Sequence, residues 1–349
     1  KPWKILAITF TNKAAGELKQ RLEIMLNEKS ADIWASTFHS SCARMLRRNA
    51  ERLGFSSHFT VYDTDDSKRL MKDCQKILKL DDKLFPYRMI LNEISRAKDQ
   101  MISPEEYLQH AGGDFRVQKI GEAYQLYQKR LKEADAMDFD DLLYQTIILL
   151  EDNPDILDYY QNKFSHILVD EYQDTNHAQY RFIRLLADKS RNLCVVGDDD
   201  QSIYKFRGAN IENILSFERN FPDSTVIRLE QNYRSTQNIL NAANAVIENN
   251  QGRKGKTLWT QNPEGEKIHI HTSPNEIDES KYIADTILED VRRGKKYSDF
   301  AVLYRMNAQS NAIEKALIKS AVPYRIIGGF RFYERKEIRD MIAYLSVIA

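Results

Sequence analysis

Residues 164–176 read "FSHILVDEYQDTN", an apolar run, Ile167-Leu168-Val169, that ends in two adjacent carboxylates, Asp170 and Glu171. A short continuous apolar run between polar flanks is the pattern of a strand buried in a parallel sheet. Open sheets of parallel strands bind ligands outside their carboxyl ends, which is where this pair is delivered. Asp170 is expected to hold Mg²⁺ through water. Glu171 is expected to orient and deprotonate a water that attacks a γ-phosphate. A lone Asp-Glu pair would be an ordinary polar exit from a strand; the longer string "DEYQDTN" carries the functional reading.

Outward from this stretch, short apolar runs alternate with longer amphipathic segments, as in parallel strands joined by crossover helices. The other expected strands are Ile5–Phe10, Ile33–Thr37, Leu193–Gly197, Thr225–Leu229, Ile268–His271 and Phe300–Tyr304. Past Thr64 the texture changes. Segments such as "DSKRLMKDCQKILKL" and "VQKIGEAYQLYQKRLKEA" repeat apolar residues at helical spacing with few β-branched runs. The fold class is therefore α/β, with parallel-sheet domains and an all-helical insertion. The expected organisation is a first core at 1–63 and 138–224, the insertion at 64–137, a second core at 225–332 and the start of a helical domain at 333–349.

With 349 residues and 42% apolar content, the chain can fill several cores. Lys+Arg and Asp+Glu both total 51, so no global basic field marks a nucleic-acid partner, although residues 1–60 hold ten Lys/Arg against five Asp/Glu. Cys42, Cys74 and Cys194 lack the spacing of a disulfide framework or a zinc site. No apolar run approaches the roughly 18 residues of a membrane span, and no signal peptide is visible. A cytoplasmic protein is expected.

A second motif, "LCVVGDDDQSIYKFRGAN" at 193–210, ends another strand in Gly197 and three aspartates. Gln201 follows, an amide able to hydrogen-bond both a phosphate oxygen and an attacking water. Tyr204 and Phe206 are aromatic residues of the kind on which single-stranded bases stack, and Arg207 can neutralise a phosphate. Five extended residues span at most about 18 Å, so a phosphate sensor at Gln201 would lie close to a stacking platform at Phe206. In "RLEQNYRST" at 228–236, Arg234 is a candidate arginine finger and Tyr233 a candidate adenine-stacking ring, just before a helix capped at Ser235/Thr236.

Six strings, "ILAITFTNKAAGELKQRL", "STFHSSCARMLRR", "ILVDEYQDTN", "VVGDDDQSIYKFRGA", "LEQNYRS" and "GGFRFYERKEIRDMIAYL", occur in the order of the motifs of the UvrD/Rep/PcrA helicases of superfamily 1A, and the chain resembles that family over its whole length. The resemblance implies two RecA-like domains with ATP and Mg²⁺ between them. It implies a DNA-stimulated ATPase that moves 3′ to 5′ on single-stranded DNA and unwinds duplex. The expected partners are single-stranded DNA, single-strand/duplex junctions and accessory repair or replication proteins, with no membrane. It places Phe10, Thr11 and Asn12, then Thr37, Phe38 and His39, then Tyr204, Phe206 and Arg207, and finally Arg305 and Asn307, at nucleic-acid contacts. Asp170, Glu171, Gln201 and Arg234 take the catalytic positions, and Tyr233, Asp170, Gln201 and Arg234 hold nucleotide. The family usually has Trp where Phe206 stands; Phe keeps a stacking face but loses area and the indole N–H.

The string "NNQGRKGKT" at 249–257 imitates a phosphate-binding loop, but G-x-x-x-x-G-K-[ST] needs glycine where Asn250 stands. Its lysines are expected to solvate a turn. The resemblance places the true phosphate loop upstream of Ile5 and further motifs beyond Ala349, so the chain is expected to be an internal piece without ATP turnover of its own. Two other readings stand beside this one. A metal-dependent nuclease built on Asp170, Glu171 and Asp174, or a helicase–nuclease parent, predicts DNA cleavage without ATP. A non-catalytic module predicts salt-sensitive single-strand binding indifferent to ATP.

Overall fold

A computed structural model describes residues 1–327 together with 341 and 344, leaving out the side chain of Arg207. Six strands occur among the described residues: β1 (Ile5–Thr9), β2 (Trp34–Thr37), β3 (Thr60–Val61), β4 (Ala136–Met137), β5 (His166–Val169) and β6 (Leu193–Val195). Four of them form one parallel sheet in the order β2-β1-β5-β6, with Leu6 beside both Trp34 and Ile167, and Ile167 beside Leu193. The central strand β1 is buried from Leu6 to Thr9, as its unbroken apolar run requires when helices cover both faces.

One face packs against the helices Phe38–Asn49, Phe139–Asp152 and His177–Ala187, burying Phe38, Met45, Leu143, Ile147, Phe182 and Leu186 in a single core. The other face covers a smaller cluster of Ala7, Ile33 and Ala35 with Leu18 and Leu22 of the helix Asn12–Leu26. The helices Thr64–Ile77, Tyr87–Asp99, Pro104–Gln109 and Phe115–Glu133 enclose a separate core around Met71, Ile94, Tyr124 and Tyr127. The short parallel pair β3–β4 sits where the chain enters and leaves this helical segment, a pairing that two-residue strands do not announce in sequence. Asp63 and Ser103 each close a capping box at a helix start here.

The chain forms two compact units, Lys1–Asn262 and Pro263–Ala349. In the second, the helices Glu276–Arg292 and Ser310–Lys319 pack through Ala284, Ile287, Leu317 and Val322. The strands expected at Thr225–Leu229, Ile268–His271 and Phe300–Tyr304 do not form among the described residues; only an isolated bridge joins Gln231 to Trp259. The physical reason is exposure. Leu229, Ile270 and Leu303 are 77%, 92% and 94% accessible, so among the described residues no strand pairs with them and no face covers them, and a parallel strand is stable only with neighbours and both faces buried. The motif at 328–345 and the expected domain at 333–349 lie outside the described residues, save Met341 and Tyr344. No helix among the described residues is long and apolar enough to cross a membrane.

Candidate nucleotide and single-strand site

Because the four strands of the main sheet run parallel, their carboxyl ends share one edge, and each delivers a candidate segment to it. β1 leads into Phe10–Asn12, β2 into Phe38 and His39, β5 into Asp170 and Glu171, and β6 into Gly197–Gln201.

Asp170 stands exposed at the end of β5, its backbone N–H donating to Ile8 O (3.0 Å) in the neighbouring strand. Glu171 follows at φ 51°, a left-handed conformation uncommon for a residue with a Cβ. This turn aims its carboxylate back along the sheet edge, where Gln173 Nε2 donates to Glu171 Oε2 (2.8 Å). The same Gln173 accepts at Oε1 from the Asp198 backbone N–H (2.9 Å). Asp198 Oδ2 in turn accepts from Gln201 Nε2 (2.7 Å). Glu171 and Gln201, thirty positions apart in sequence, are thus two ends of one hydrogen-bonded chain through Gln173 and Asp198. Gly197 makes this approach possible: a Cβ there would lie 2.6 Å from Gln173 Oε1 and 3.2 Å from its backbone nitrogen.

Asp174 adds a third carboxylate. Burial first, and Glu171 second, push its carboxyl above the usual range, and its Oδ1 is buried with no hydrogen-bond partner among the described residues. Asp170, Glu171 and Asp174 do not converge as a ready-made divalent-ion cluster among the described residues; the carboxylates that do are Asp198, Asp199 and Asp200.

The two stacking candidates are neighbours with accessible rings. Tyr204 is 38% and Phe206 66% exposed, with ring centroids 6.1 Å apart and planes tilted by 39°. Thr175 and Asn176, from the end of "DEYQDTN", hold the exit of this loop: Asn210 N–H donates to Thr175 O (2.9 Å), and Asn213 Nδ2 donates to Thr175 O and Oγ1 (both 3.0 Å). Asn176 Nδ2 also donates to Asp99 Oδ1 (2.5 Å) from the helical insertion. Burial first, then Asp140, raises the Asp99 carboxyl to about 7.

Other candidates divide by burial. Thr11 and Thr37 cap helices, accepting from Ala14 N (3.1 Å) and Ser40 N (3.3 Å), but Thr11 is exposed whereas Thr37 is buried, so of the two the helix N-terminus at Thr11 is the one open to a phosphate. Asn12 is exposed, and Phe10 packs edge-on against Phe38 at 5.4 Å. The Phe38 ring lies inside the core, 6.4 Å from Phe182, and offers no face to solvent. His39 packs at 5.4 Å from Phe139; burial lowers its imidazole below the ordinary value and Asp140 only partly opposes this, so it is neutral at neutral pH. Tyr233 and Arg234 are exposed in the turn before the helix Gln237–Ile247, where Asn232 Oδ1 accepts from the backbone N–H of Arg234 (2.9 Å) and Ser235 (2.8 Å). Thr236 is the helix N-cap residue, but its side chain makes no cap hydrogen bond. In the second unit Arg305 and Asn307 are exposed, Asn307 opening a short 3₁₀ turn. Arg207 closes the 3₁₀ turn Lys205–Arg207, and its side chain lies outside the described residues.

The "GRKGKT" lysines do not solvate a turn. Arg253 forms a two-bonded ion pair with Asp200 (2.7 and 2.6 Å), Lys254 N–H donates to Asp199 Oδ2 (2.8 Å), and Lys256 pairs with Asp198. Neither this loop nor Gln173 is assigned a site role from sequence. The only advance signal is the complementary charge of a "DDD" run and an "RKGK" run.

Comparison with known proteins matches residues 1–222 to the family of UvrD/REP helicase N-terminal domains and residues 227–349 to that of UvrD-like helicase C-terminal domains. Similar relatives include the ATP-dependent DNA helicase PcrA of Staphylococcus epidermidis, 52% identical over 348 residues, and that of Staphylococcus aureus, 51% identical over 348 residues. In both cases the match covers 100% of this chain and 48% of the relative, so the chain spans about half the length of these proteins.

Proposed function

Because the chain belongs to the UvrD/REP helicase family, we propose that the full-length protein is an ATP-dependent DNA helicase that translocates 3′ to 5′ on single-stranded DNA, and that this chain carries its hydrolytic carboxylates and part of its DNA track. The observation that supports this reading best is the hydrogen-bonded chain Glu171–Gln173–Asp198–Gln201 at the carboxyl edge of one parallel sheet, with the Tyr204/Phe206 platform a few residues further on.

In this reading Glu171 takes the proton of the attacking water, and Gln201 orients that water and reads the γ-phosphate. Arg234 stabilises charge on the transferring phosphoryl group, and Tyr233 stacks on adenine. Asp170 would hold Mg²⁺ through water, and the ion, when bound, would neutralise phosphate charge. A change at Gln201 reaches Tyr204 and Phe206 through three to five residues of backbone, which gives nucleotide state a short route to strand grip. Phe10, Thr11, Asn12, Thr37, Phe38, His39, Arg207, Arg305 and Asn307 complete the DNA track. His39 acts there as a neutral hydrogen-bonding ring, and Phe38 supports Phe10 from within the core.

The test is steady-state ATP hydrolysis by the full-length protein with and without single-stranded DNA. Stimulation by the strand is expected; ATP-independent, metal-dependent DNA cleavage would favour a nuclease instead. Phe206→Ala is expected to weaken single-strand affinity by about 1–3 kcal/mol if one base stacks there, measured by fluorescence anisotropy at fixed salt. Unchanged affinity would remove Phe206 from the platform.

A further inference from the structure

We propose that the loop Arg253–Lys256 is a clasp that positions Gln201, gripping the turn before it through Asp198, Asp199 and Asp200; this rests on the reading of Gln201 given above.

The clasp has three separate links. Arg253 Nε donates to Asp200 Oδ1 (2.7 Å) and Arg253 Nη2 to Asp200 Oδ2 (2.6 Å), a planar two-point match that fixes direction as well as distance. Lys254 N–H donates to Asp199 Oδ2 (2.8 Å). Lys256 Nζ pairs with Asp198 and lies 3.7 Å from Asp200. The Arg253 side chain is 18% exposed and that of Asp200 11%, so the pair is shielded from the solvent screening that weakens surface ion pairs. The loop also braces itself: Arg253 Nη2 donates to Lys256 O (3.1 Å), and Lys254 reaches Glu218 at 3.2 Å. Gly255 at φ 69° reverses the chain between the two lysines with nothing within 4 Å of its Cα substituent position, so glycine serves conformation there.

The turn that is gripped is the one carrying Gln201. Asp198 Oδ1 accepts from Asp200 N–H (3.0 Å) while Asp198 Oδ2 accepts from Gln201 Nε2 (2.7 Å), so the carboxylate held by Lys256 also orients the amide. The charge balance matters as much as the geometry. Three aspartates at the mouth of a triphosphate site would repel the nucleotide, and the oxygens of Asp198, Asp199 and Asp200 lie within 4.8 Å of one another as a divalent-ion cluster would. Arg253 and Lys256 already occupy Asp200 and Asp198, which makes this cluster an ion-pair network rather than a metal site. The clasp also joins the two regions matched to separate family domains, 1–222 and 227–349, within one compact unit.

The experiment uses the full-length protein with Arg253→Asp, Asp200→Arg and the double exchange. Each single change is expected to lower strand-stimulated kcat for ATP at least tenfold, with single-strand Kd nearly unchanged, and to speed hydrogen exchange of the peptide spanning 198–204. The exchanged pair is expected to recover kcat to within about threefold of wild type and to restore protection. Unchanged kcat in Arg253→Asp, with or without faster exchange, overturns the positioning role. Parallel loss of strand affinity and thermal midpoint, with no recovery in the exchanged pair, makes the loop merely structural and also overturns it. If the wild-type protein shows no strand-stimulated turnover at all, the helicase reading falls and takes Gln201's role with it, while the exchange data still report whether the clasp forms.

Discussion

Replacing Glu171 by glutamine in the full-length protein is expected to cut ATP turnover by about 10²–10⁴-fold, the usual contribution of a positioned general base, while nucleotide affinity stays within a few fold. The substitution keeps the side-chain length and leaves a carbonyl oxygen that can still accept from Gln173 Nε2, so the chain to Asp198 and Gln201 survives. It removes only the ability to take a proton. The backbone also fixes where this side chain starts. Glu171 adopts φ 51°, a conformation that costs a residue with a Cβ of order 1–3 kcal/mol and persists only where the surroundings impose it. The Asp170 N–H to Ile8 O and Tyr172 N–H to Val196 O hydrogen bonds (3.0 and 2.9 Å) tie the residues on either side of Glu171 to the two neighbouring strands. Steady-state hydrolysis and equilibrium binding of a fluorescent nucleotide check the two halves separately. Turnover within threefold of wild type would transfer the base to another group, with Asp174 next in line because burial already raises its proton affinity. Loss of binding together with turnover would make Glu171 part of the nucleotide's grip.

The sheet edge that presents Asp170 and Glu171 was legible in the sequence because strands buried on both faces advertise themselves as unbroken apolar runs. "ILAIT", "WAST" and "HILV" became β1, β2 and β5 within a residue or two of their expected bounds, and parallel pairing put their carboxyl ends together. The helical insertion was equally legible from its apolar spacing. The same apolar signal failed at 225–229, 268–271 and 300–304, since it names a segment that could be a strand but not the neighbour it must pair with. Side-chain networks were the least legible. Gln173 reaches Asp198 across 25 positions and Lys256 reaches Asp198 across 58, and no local pattern fixes such distances. Aromatic motif residues divided between surface and core, with Phe206 exposed and Phe38 inside, because an aromatic ring at a strand end serves either place.

Lys98→Met is expected to destabilise the chain by roughly 3–5 kcal/mol near neutral pH, the cost of stranding a buried charge by removing its partner. Lys98 is fully enclosed, its Nζ 2.7 Å from Asp138 Oδ2 and 2.9 Å from Asp141 Oδ1. Burial alone would lower its proton affinity, but the two carboxylates outweigh this and keep it charged. Around them further polar groups are engaged, although Gln128 Oε1 is buried without a hydrogen-bond partner among the described residues. Tyr127 OH donates to Asp138 Oδ2 (3.1 Å) and Gln128 Nε2 to Asp141 Oδ1 (3.0 Å), while Asp138 and Asp141 cap each other's backbone N–H groups at the start of the helix Phe139–Asp152. This network ties two helices of the insertion to a helix of the main core, so its loss should be felt across both. The carboxyls respond unequally: Lys98 holds Asp138 below the usual range despite burial, whereas burial and the neighbouring Asp138 raise Asp141 to about 6. Without Lys98 both would rise, binding protons in the folded state that the unfolded chain has released. Stability of the variant therefore falls as pH rises above the unfolded carboxyl value near 4, and its deficit relative to wild type is smaller at pH 5 than at pH 8. Adding Asp141→Asn to Lys98→Met removes one stranded charge and is expected to recover part of the loss at pH 8. Denaturant unfolding of the three proteins at both pH values reads all of this. A Lys98→Met deficit under about 1 kcal/mol, or one that does not shrink toward pH 5, would mean that water reaches these carboxylates and that the insertion is held to the core by its apolar contacts alone.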